Sequence, residues 1–218
     1  NRTLVVAGGD VDLGTVCWES CDECPKDLVL QGIMDFTVPS GGSDGKAIHL
    51  RATADIADLS VYGLGVANNG QGSDGQEYTF DAISVLAGED ILVVRSVSAM
   101  TSYFSTCYTE FEHVLSTSTS SISGNGDDAV ELFLNSNVIE TFGDVTYSSG
   151  TGSSLPWYHL DAWAYKESTG TYVADGGNWT IAAPNCTDGS TTIFDASCLY
   201  PICPLNQIDL PITWDEAL

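Results

Sequence analysis

The stretch Ala129-Val-Glu-Leu-Phe-Leu-Asn-Ser-Asn-Val-Ile-Glu-Thr-Phe142 decides the fold class of this chain. Two apolar runs, Ala129–Leu134 and Val138–Phe142, flank Asn135-Ser136-Asn137. Asparagine tolerates the positive φ that a tight hairpin turn requires. The stretch therefore predicts two antiparallel strands joined by a short turn.

Short runs of the same kind recur on both sides of this hairpin, broken by turn residues such as those of Ser43-Asp44-Gly45. Further strands are predicted at Thr3–Ala7, Asp27–Phe36, Lys46–Ala52, Leu59–Val66, Glu77–Phe80, Asp90–Arg95, Ala162–Lys166 and Trp179–Ala182. A short helix is predicted around Ser98–Phe104, and the Ser/Thr-rich residues 116–126 are predicted to form an exposed loop. Many short strands with frequent turns favour an all-β, antiparallel β-sandwich.

The charge of the chain is strongly unbalanced. Its 218 residues include 30 acidic and 6 basic ones, for a formal net charge of −24. Nucleic acid is excluded as a direct partner, because phosphate binding needs clustered lysine and arginine. Divalent cations suit such a surface, although solubility alone explains it. The sequence has no apolar run long enough to predict a membrane span.

The cysteines and glycosylation sequons indicate a secreted protein. Seven cysteines lie mostly towards the two ends: Cys17, Cys21, Cys24, Cys107, Cys186, Cys198 and Cys203. Disulfides are expected, with a connectivity that the sequence leaves open, and the odd number leaves one thiol free or bonded to another chain. Zinc is the alternative for the spacing Cys17-x₃-Cys21-x₂-Cys24. Sequons at Asn1, Asn178 and Asn185 predict N-glycosylation and an extracellular or cell-surface location.

Two groups of motifs resemble the lamin-tail domain family. The first comprises Gly45–Leu50, Asp55–Leu64 (DIADLSVYGL) and Ala87–Val94 (AGEDILVV). The second comprises Ser123–Leu132 (SGNGDDAVEL), Val138–Asp144 (VIETFGD) and, after Trp157, Asp161–Lys166 (DAWAYK), with Asn178-Trp179-Thr180 closing the segment. In order and spacing, these pieces are similar to a secreted lamin-tail domain.

This resemblance implies an immunoglobulin-like β-sandwich over residues 27–182, with no catalytic residues. Residues 1–26 are then an N-terminal strand and cysteine-rich extension, and residues 183–218 a C-terminal extension with cysteines. The chain departs from the family at His49, where an acidic residue is usual, and at Cys107, which lies in an insertion.

Candidate binding sites have competing interpretations. Asp127, Asp128 and Glu131 cluster at a strand entrance and predict a calcium site; the alternative is a turn in which the aspartates bond their own backbone. His159, with the aromatic residues around it, predicts either a sugar-stacking platform or ordinary core packing. Gly41-Gly42-Ser43-Asp44-Gly45 matches the G-x-S-x-G sequence of a nucleophile elbow, but a strand is predicted after it where that motif requires a helix. The chain is therefore expected not to be an enzyme.

The terminal segments suggest how such a domain would work. Both have strand-like patterns and could pair with a neighbouring subunit or fold back on their own sheet. We expect a structural module that self-associates into an oligomer, filament or coat. The alternatives are a calcium- or glycan-binding adhesion domain and an accessory domain of a secreted hydrolase. The expected assembly residues are Thr3, Leu4, Val5, Val6, Ile208, Leu210, Ile212 and Trp214.

Overall fold

The computed structural model describes residues 26–37, 43–117, 122–147, 152–173 and 177–203, with backbone only for 168–173 and 177. The strands are β1 Leu28–Phe36, β2 Gly45–Ala52, β3 Tyr62–Ala67, β4 Tyr78–Thr79, β5 Asp90–Val94, β6 His113–Ser116, β7 Ala129–Leu134, β8 Asn137–Phe142, β9 Trp163–Val173 and β10 Gly177–Ile181. Helix α1 spans Val97–Phe104, and short 3₁₀ turns lie at Leu59–Val61, Asn68–Gly70, Ser105–Glu110, Gly152–Ser154 and Ile193–Asp195.

The strands form two sheets, which confirms the all-β sandwich. One sheet has six strands in the order β10-β9-β1-β2-β5-β6, and the other has four in the order β4-β3-β7-β8. Pairing is antiparallel except between β5 and β6, which run parallel. The hairpin predicted at β7–β8 is present, with Asn135 at φ 50° and Ser136 at φ 62°. Both central residues therefore adopt the left-handed conformation of a type I′ turn.

Several predicted elements differ in detail from the observed ones. Leu59–Val66 begins as a 3₁₀ turn, because the Asp58 carboxylate accepts the Ser60 backbone N–H, and becomes β3 only at Tyr62. Strand β6 was not predicted. The segment 116–126 is not uniformly exposed, since Thr117 and Ile122 are buried. The predicted strand Thr3–Ala7 lies outside the described residues.

The six-stranded sheet is buried on both faces. Its inner face packs against the four-stranded sheet in an inter-sheet core that includes Leu30, Leu50, Leu132 and Phe142. Its outer face carries a second hydrophobic cluster, here called the outer core. The outer core joins strand residues to α1 and to the chain after β10, and it includes Phe36, Leu92, Phe104, Trp163, Ile193 and Tyr200. The described part of the C-terminal extension is thus packed onto the sheet.

The inter-sheet core is closed along one side by a buried carboxylate. Strand β1 has a bulge at Gln31, where the register shifts between Leu30 and Gly32. Glu140 of β8 accepts the Leu30 backbone N–H at 3.1 Å and also pairs with the ammonium of Lys166 in β9. Glu140 therefore links the two sheets where the bulge leaves a β1 amide without a strand partner.

Candidate functional site

Two buried polar groups are candidates for chemistry. The first, here called the interior cluster, comprises Asp35, Lys46, Asp128 and His159. Asp35 and Lys46 face each other across β1 and β2, and the lysine ammonium pairs with Asp35 Oδ1 while donating to the Gly124 carbonyl at 2.9 Å. Both side chains of the pair are more than nine-tenths buried. Removal of one partner from such a buried pair is strongly destabilising, because it leaves the other charge buried and uncompensated.

Asp35, Asp128 and His159 of the interior cluster line a cavity of about 10 Å³, together with apolar side chains such as Ile33 and Val130. This volume corresponds to a single water-sized sphere. Asp35 Oδ2 is buried without a hydrogen-bond partner among the described residues. The cavity is therefore too small to admit a substrate, and its polar wall suits nothing larger than one water molecule.

His159 and Asp128 are fixed by backbone groups. His159 donates its Nδ1–H to the Trp157 carbonyl at 2.7 Å, and burial lowers its pKa. Asp128 accepts the backbone N–H groups of Asn69 and Asn125, each at 2.7 Å. Burial nevertheless raises the Asp128 pKa, although these two hydrogen bonds oppose the rise. The cluster is thus held in place by the turns around it.

The three residues predicted to bind calcium have different environments. Asp128 has the geometry of the turn alternative, with both carboxylate oxygens bonded to backbone N–H groups. Asp127 accepts the hydroxyl of Tyr147 at 3.1 Å, and Glu131 is buried within β7. No group of three or more His, Cys, Asp or Glu side chains able to hold a metal occurs in the part of the chain that the structure describes. The calcium site stays a prediction.

The second polar group, here called the tyrosine anchor, comprises Tyr200, His49, Asp90 and Arg51. Tyr200 lies in the outer core, and its hydroxyl is 2.8 Å from His49 Nδ1. His49 Nε2 is 2.8 Å from Asp90 Oδ1, and Arg51 donates to Asp90 Oδ2 at 2.6 Å. Because a carboxylate only accepts, Nε2 carries the His49 proton and Nδ1 accepts from the tyrosine.

The tyrosine anchor depends on the absence of a side chain at Gly32, which is opposite His49 in the β1–β2 ladder. A Cβ at Gly32 would overlap the Tyr200 hydroxyl and lie 2.9 Å from its Cζ. The aromatic rings of Tyr165, Trp163 and Phe104 surround Tyr200 on its other sides. The glycine, together with the β1 bulge, therefore makes the socket that receives Tyr200.

The order hydroxyl, imidazole, carboxylate resembles a nucleophilic triad, but the burial of the anchor assigns it a different role. His49 is 0 % exposed and Tyr200 is 1 % exposed. Burial lowers the His49 pKa despite the Asp90 hydrogen bond, and it raises the Tyr200 pKa well above its usual range. A neutral histidine and a protonated tyrosine that no solvent reaches hold the C-terminal extension on the sheet.

Both buried histidines predict a loss of stability in mild acid. Their folded-state pKa values lie below the unfolded value, so the unfolded chain binds more protons below about pH 6.5. The free energy of unfolding should fall as pH drops from 7.5 to 5.5, by at most about 1.4 kcal/mol per pH unit for each histidine. Urea titrations at several pH values measure the slope. The dependence of the free energy of unfolding on pH should be weaker in His49→Asn and in His159→Asn than in the unmodified chain. An equal slope in the unmodified chain and both variants would refute the lowered histidine pKa values.

Four of the seven cysteines form two disulfides. Cys107 pairs with Cys203 over a sequence separation of 96, and Cys186 pairs with Cys198 over a separation of 12. The expectation of disulfides is confirmed for these four. The remaining three, Cys17, Cys21 and Cys24, lie outside the described residues, and three thiols cannot all pair with one another. The odd cysteine is therefore one of these three.

The glycosylation and assembly residues fall partly outside the described ranges. Asn178 and Asn185 are both exposed, whereas Asn1 is outside the described residues. The same holds for both predicted assembly segments, from Thr3 to Val6 and from Ile208 to Trp214. No helix in the described ranges is long and apolar enough to cross a membrane.

Sequence reasoning missed the tyrosine anchor. In the sequence, His49 stands out only as a departure from the lamin-tail pattern that the chain resembles, and no motif marks Tyr200 or Gly32. One available signal was the apolar run Ile91-Leu92-Val93-Val94 in β5, because a strand without alternation indicates burial on both faces. That run indicates an outer layer on the sheet, although not the residues that hold it.

Comparison with known proteins adds no relative: no protein-family model matches the chain, and no curated protein matches it either.

Fold and site together define the class of protein. The chain is an all-β sandwich with a third layer on its six-stranded sheet. Two disulfides lie in that layer: one joins the segment after α1 to the C-terminal extension, and the other closes a short loop within the extension. Disulfides of this kind are typical of oxidising compartments.

Proposed function

We propose that this chain is an extracellular, non-catalytic building block that assembles with further copies of itself by β-strand addition. The observation that carries the proposal is the outer edge of β6, which has no strand beside it in the part of the chain that the structure describes. Among the described residues β6 pairs only with β5. An unpaired strand edge is a ready template for a strand from another chain.

The position of the C-terminal disulfide favours β6 as the acceptor edge. Cys203 is bonded to Cys107, which lies a short distance before β6 in the chain. In sequence, the segment Ile208–Trp214 begins five residues after Cys203, so the disulfide ties the chain that leads into it to the residues just before β6. Val114 of β6 is half-buried against the outer core, so a strand laid beside it would extend that core.

The sequence of the C-terminal segment suits pairing on one side only. Ile208, Leu210, Ile212 and Trp214 alternate with polar residues and with Pro211. Backbone groups of alternate residues in a strand point to the same side, so Pro211 removes a donor from one edge and leaves the other edge intact. Such a segment can add to a free edge but cannot be the centre of a sheet.

The interior of the domain supports a non-catalytic role. The imidazoles of His49 and His159 are both committed to internal hydrogen bonds, and the interior cavity holds no more than one water molecule. The lamin-tail resemblance agrees with a structural module. Secretion is proposed from the disulfides and the sequons together.

The net charge of −24 opposes assembly through repulsion between copies, so salt should favour it. Size-exclusion chromatography with light scattering in high salt, over a range of concentrations, tests the proposal. The unmodified chain should give a mass several times that of one copy. Leu210→Asp combined with Ile212→Asp should give single copies, whereas Thr213→Asp, on the polar face, should assemble normally.

Two results would contradict this proposal. One is a single-copy mass for the unmodified chain at every concentration, as expected if the segment pairs with its own β6. The other is normal assembly of the doubly substituted chain.

A further inference from the structure

We propose that Asn178 carries an N-linked glycan and that this glycan shields the flank of the sandwich formed by β10 and β8. In the reaction, Nδ2 of Asn178 bonds to the anomeric carbon of an oligosaccharide donated by a lipid-linked pyrophosphate. The anomeric C–O bond to the donor breaks, and the lipid pyrophosphate leaves as Nδ2 loses a proton.

The placement of Asn178 suits the modification. The residue is exposed on β10, the terminal strand, which pairs only with β9 among the described residues. The ladder is irregular between Asn178 and Trp179, and Trp179 turns into the inter-sheet core at 2 % exposure. A bulge at a sheet edge re-aims the side chain next to it. The burial of Trp179 therefore anchors the strand while Asn178 faces solvent.

The second described sequon is much less favourable. Asn185 is exposed in a turn at φ 62°, but the Thr187 hydroxyl of its sequon is fully buried and donates to the Asp161 carbonyl at 2.7 Å. The residue between them, Cys186, is bonded to Cys198. A glycan transferase needs the asparagine and the hydroxyl together. Folding of this turn withdraws that hydroxyl, so Asn185 should be occupied less than Asn178.

The glycan would cover two strand edges at once. The rings of Phe142 in β8 and Trp179 in β10 are 4.6 Å apart, so the terminal strands that the described residues give to the two sheets meet on this flank. Free edges promote indiscriminate pairing, and a bulky solvated group blocks it. The β6 edge lies at the opposite end of the six-stranded sheet. The glycan would thereby confine pairing to β6, a consequence that rests on the function proposed above.

Secretion of the full chain from a eukaryotic host tests the modification. Glycopeptide mass spectrometry before and after enzymatic deglycosylation should show Asn178 occupied in most molecules and Asn185 several-fold less. Thr180→Ala should abolish occupancy at Asn178, and Thr180→Ser should retain it. An unmodified Asn178, or higher occupancy at Asn185, would overturn the proposal.

The shielding role is tested separately, on the chain that carries Leu210→Asp and Ile212→Asp. Adding Asn178→Gln should at least double the weight-average mass measured by light scattering, and adding Asn185→Gln should leave it unchanged. No increase with Asn178→Gln would overturn the shield even if the glycan is present. Because the C-terminal segment is disabled in this background, either outcome is independent of whether the unmodified chain assembles through β6.

Discussion

Replacing Gly32 with alanine is expected to lower the free energy of unfolding by about 3 kcal/mol, in the range measured when a large buried side chain loses its packing. The added methyl group would occupy the position of the Tyr200 hydroxyl, so the ring must leave its socket. Its departure breaks the hydrogen bond to His49 and exposes part of the outer core. Urea denaturation followed by tryptophan fluorescence measures the change.

The matched control repeats the substitution in a Tyr200→Phe background. Tyr200→Phe alone should cost about 1 to 2 kcal/mol, because it leaves His49 Nδ1 buried without its donor. Gly32→Ala should cost clearly less there, because the worst overlap involves the missing hydroxyl. Equal costs in both backgrounds would show that Gly32 and Tyr200 are not coupled and that the anchor is wrongly assigned.

Removing the disulfide between Cys107 and Cys203 should destabilise the domain more than removing the other described disulfide. The chain-entropy relation gives about 5 kcal/mol for a separation of 96 and about 3 kcal/mol for one of 12. The longer link also fixes the C-terminal extension, with its Tyr200, to the segment after α1. Its loss should therefore release the third layer as well as relax the unfolded chain.

Cys107→Ala with Cys203→Ala is compared with Cys186→Ala with Cys198→Ala under identical conditions. The midpoint of urea denaturation should fall further for the first pair. A larger fall for the second pair would mean that the Cys186–Cys198 loop, and not the Cys107–Cys203 link to the segment after α1, holds the third layer in place.

The positions of most strands could be predicted from the sequence, whereas the outer layer on the six-stranded sheet could not. Asn135 and its neighbours specify a hairpin locally, so the β7–β8 pair was predicted from a few adjacent residues. Strand β6 was missed because His113–Ser116 is too short to show alternation and no turn signal sets it apart. It pairs in parallel with β5, an arrangement that depends on the intervening helix and not on a local turn.

The tyrosine anchor could not be predicted because its parts are distant in sequence. Tyr200 and His49 are separated by 151 positions, and nothing near either residue indicates the other. Gly32 looks like an ordinary strand interruption until the bulge places it beneath the tyrosine ring. The interior cluster could not be predicted either. In the sequence, Asp35 and Lys46 look like polar residues at strand ends, whereas in the structure both are buried.

The few basic residues also had to be located by the structure. Lys46, Arg51 and Lys166, half of the six, pair with Asp35, Asp90 and Glu140 respectively. Half of the positive charge of the chain is thus paired with carboxylates of the sandwich. The net charge of the chain remains −24, which is why the tests of the proposed assembly are placed in high salt.

Amide hydrogen exchange, followed by mass spectrometry below and above the assembly concentration, tests strand addition most directly. We predict that His113–Ser116 and Ile208–Trp214 gain protection together on assembly, while β2 and β7 in the interior of the sheets stay unchanged. Exchange at β6 that is the same at both concentrations, or protection gained only at other strands, would contradict the proposed assembly.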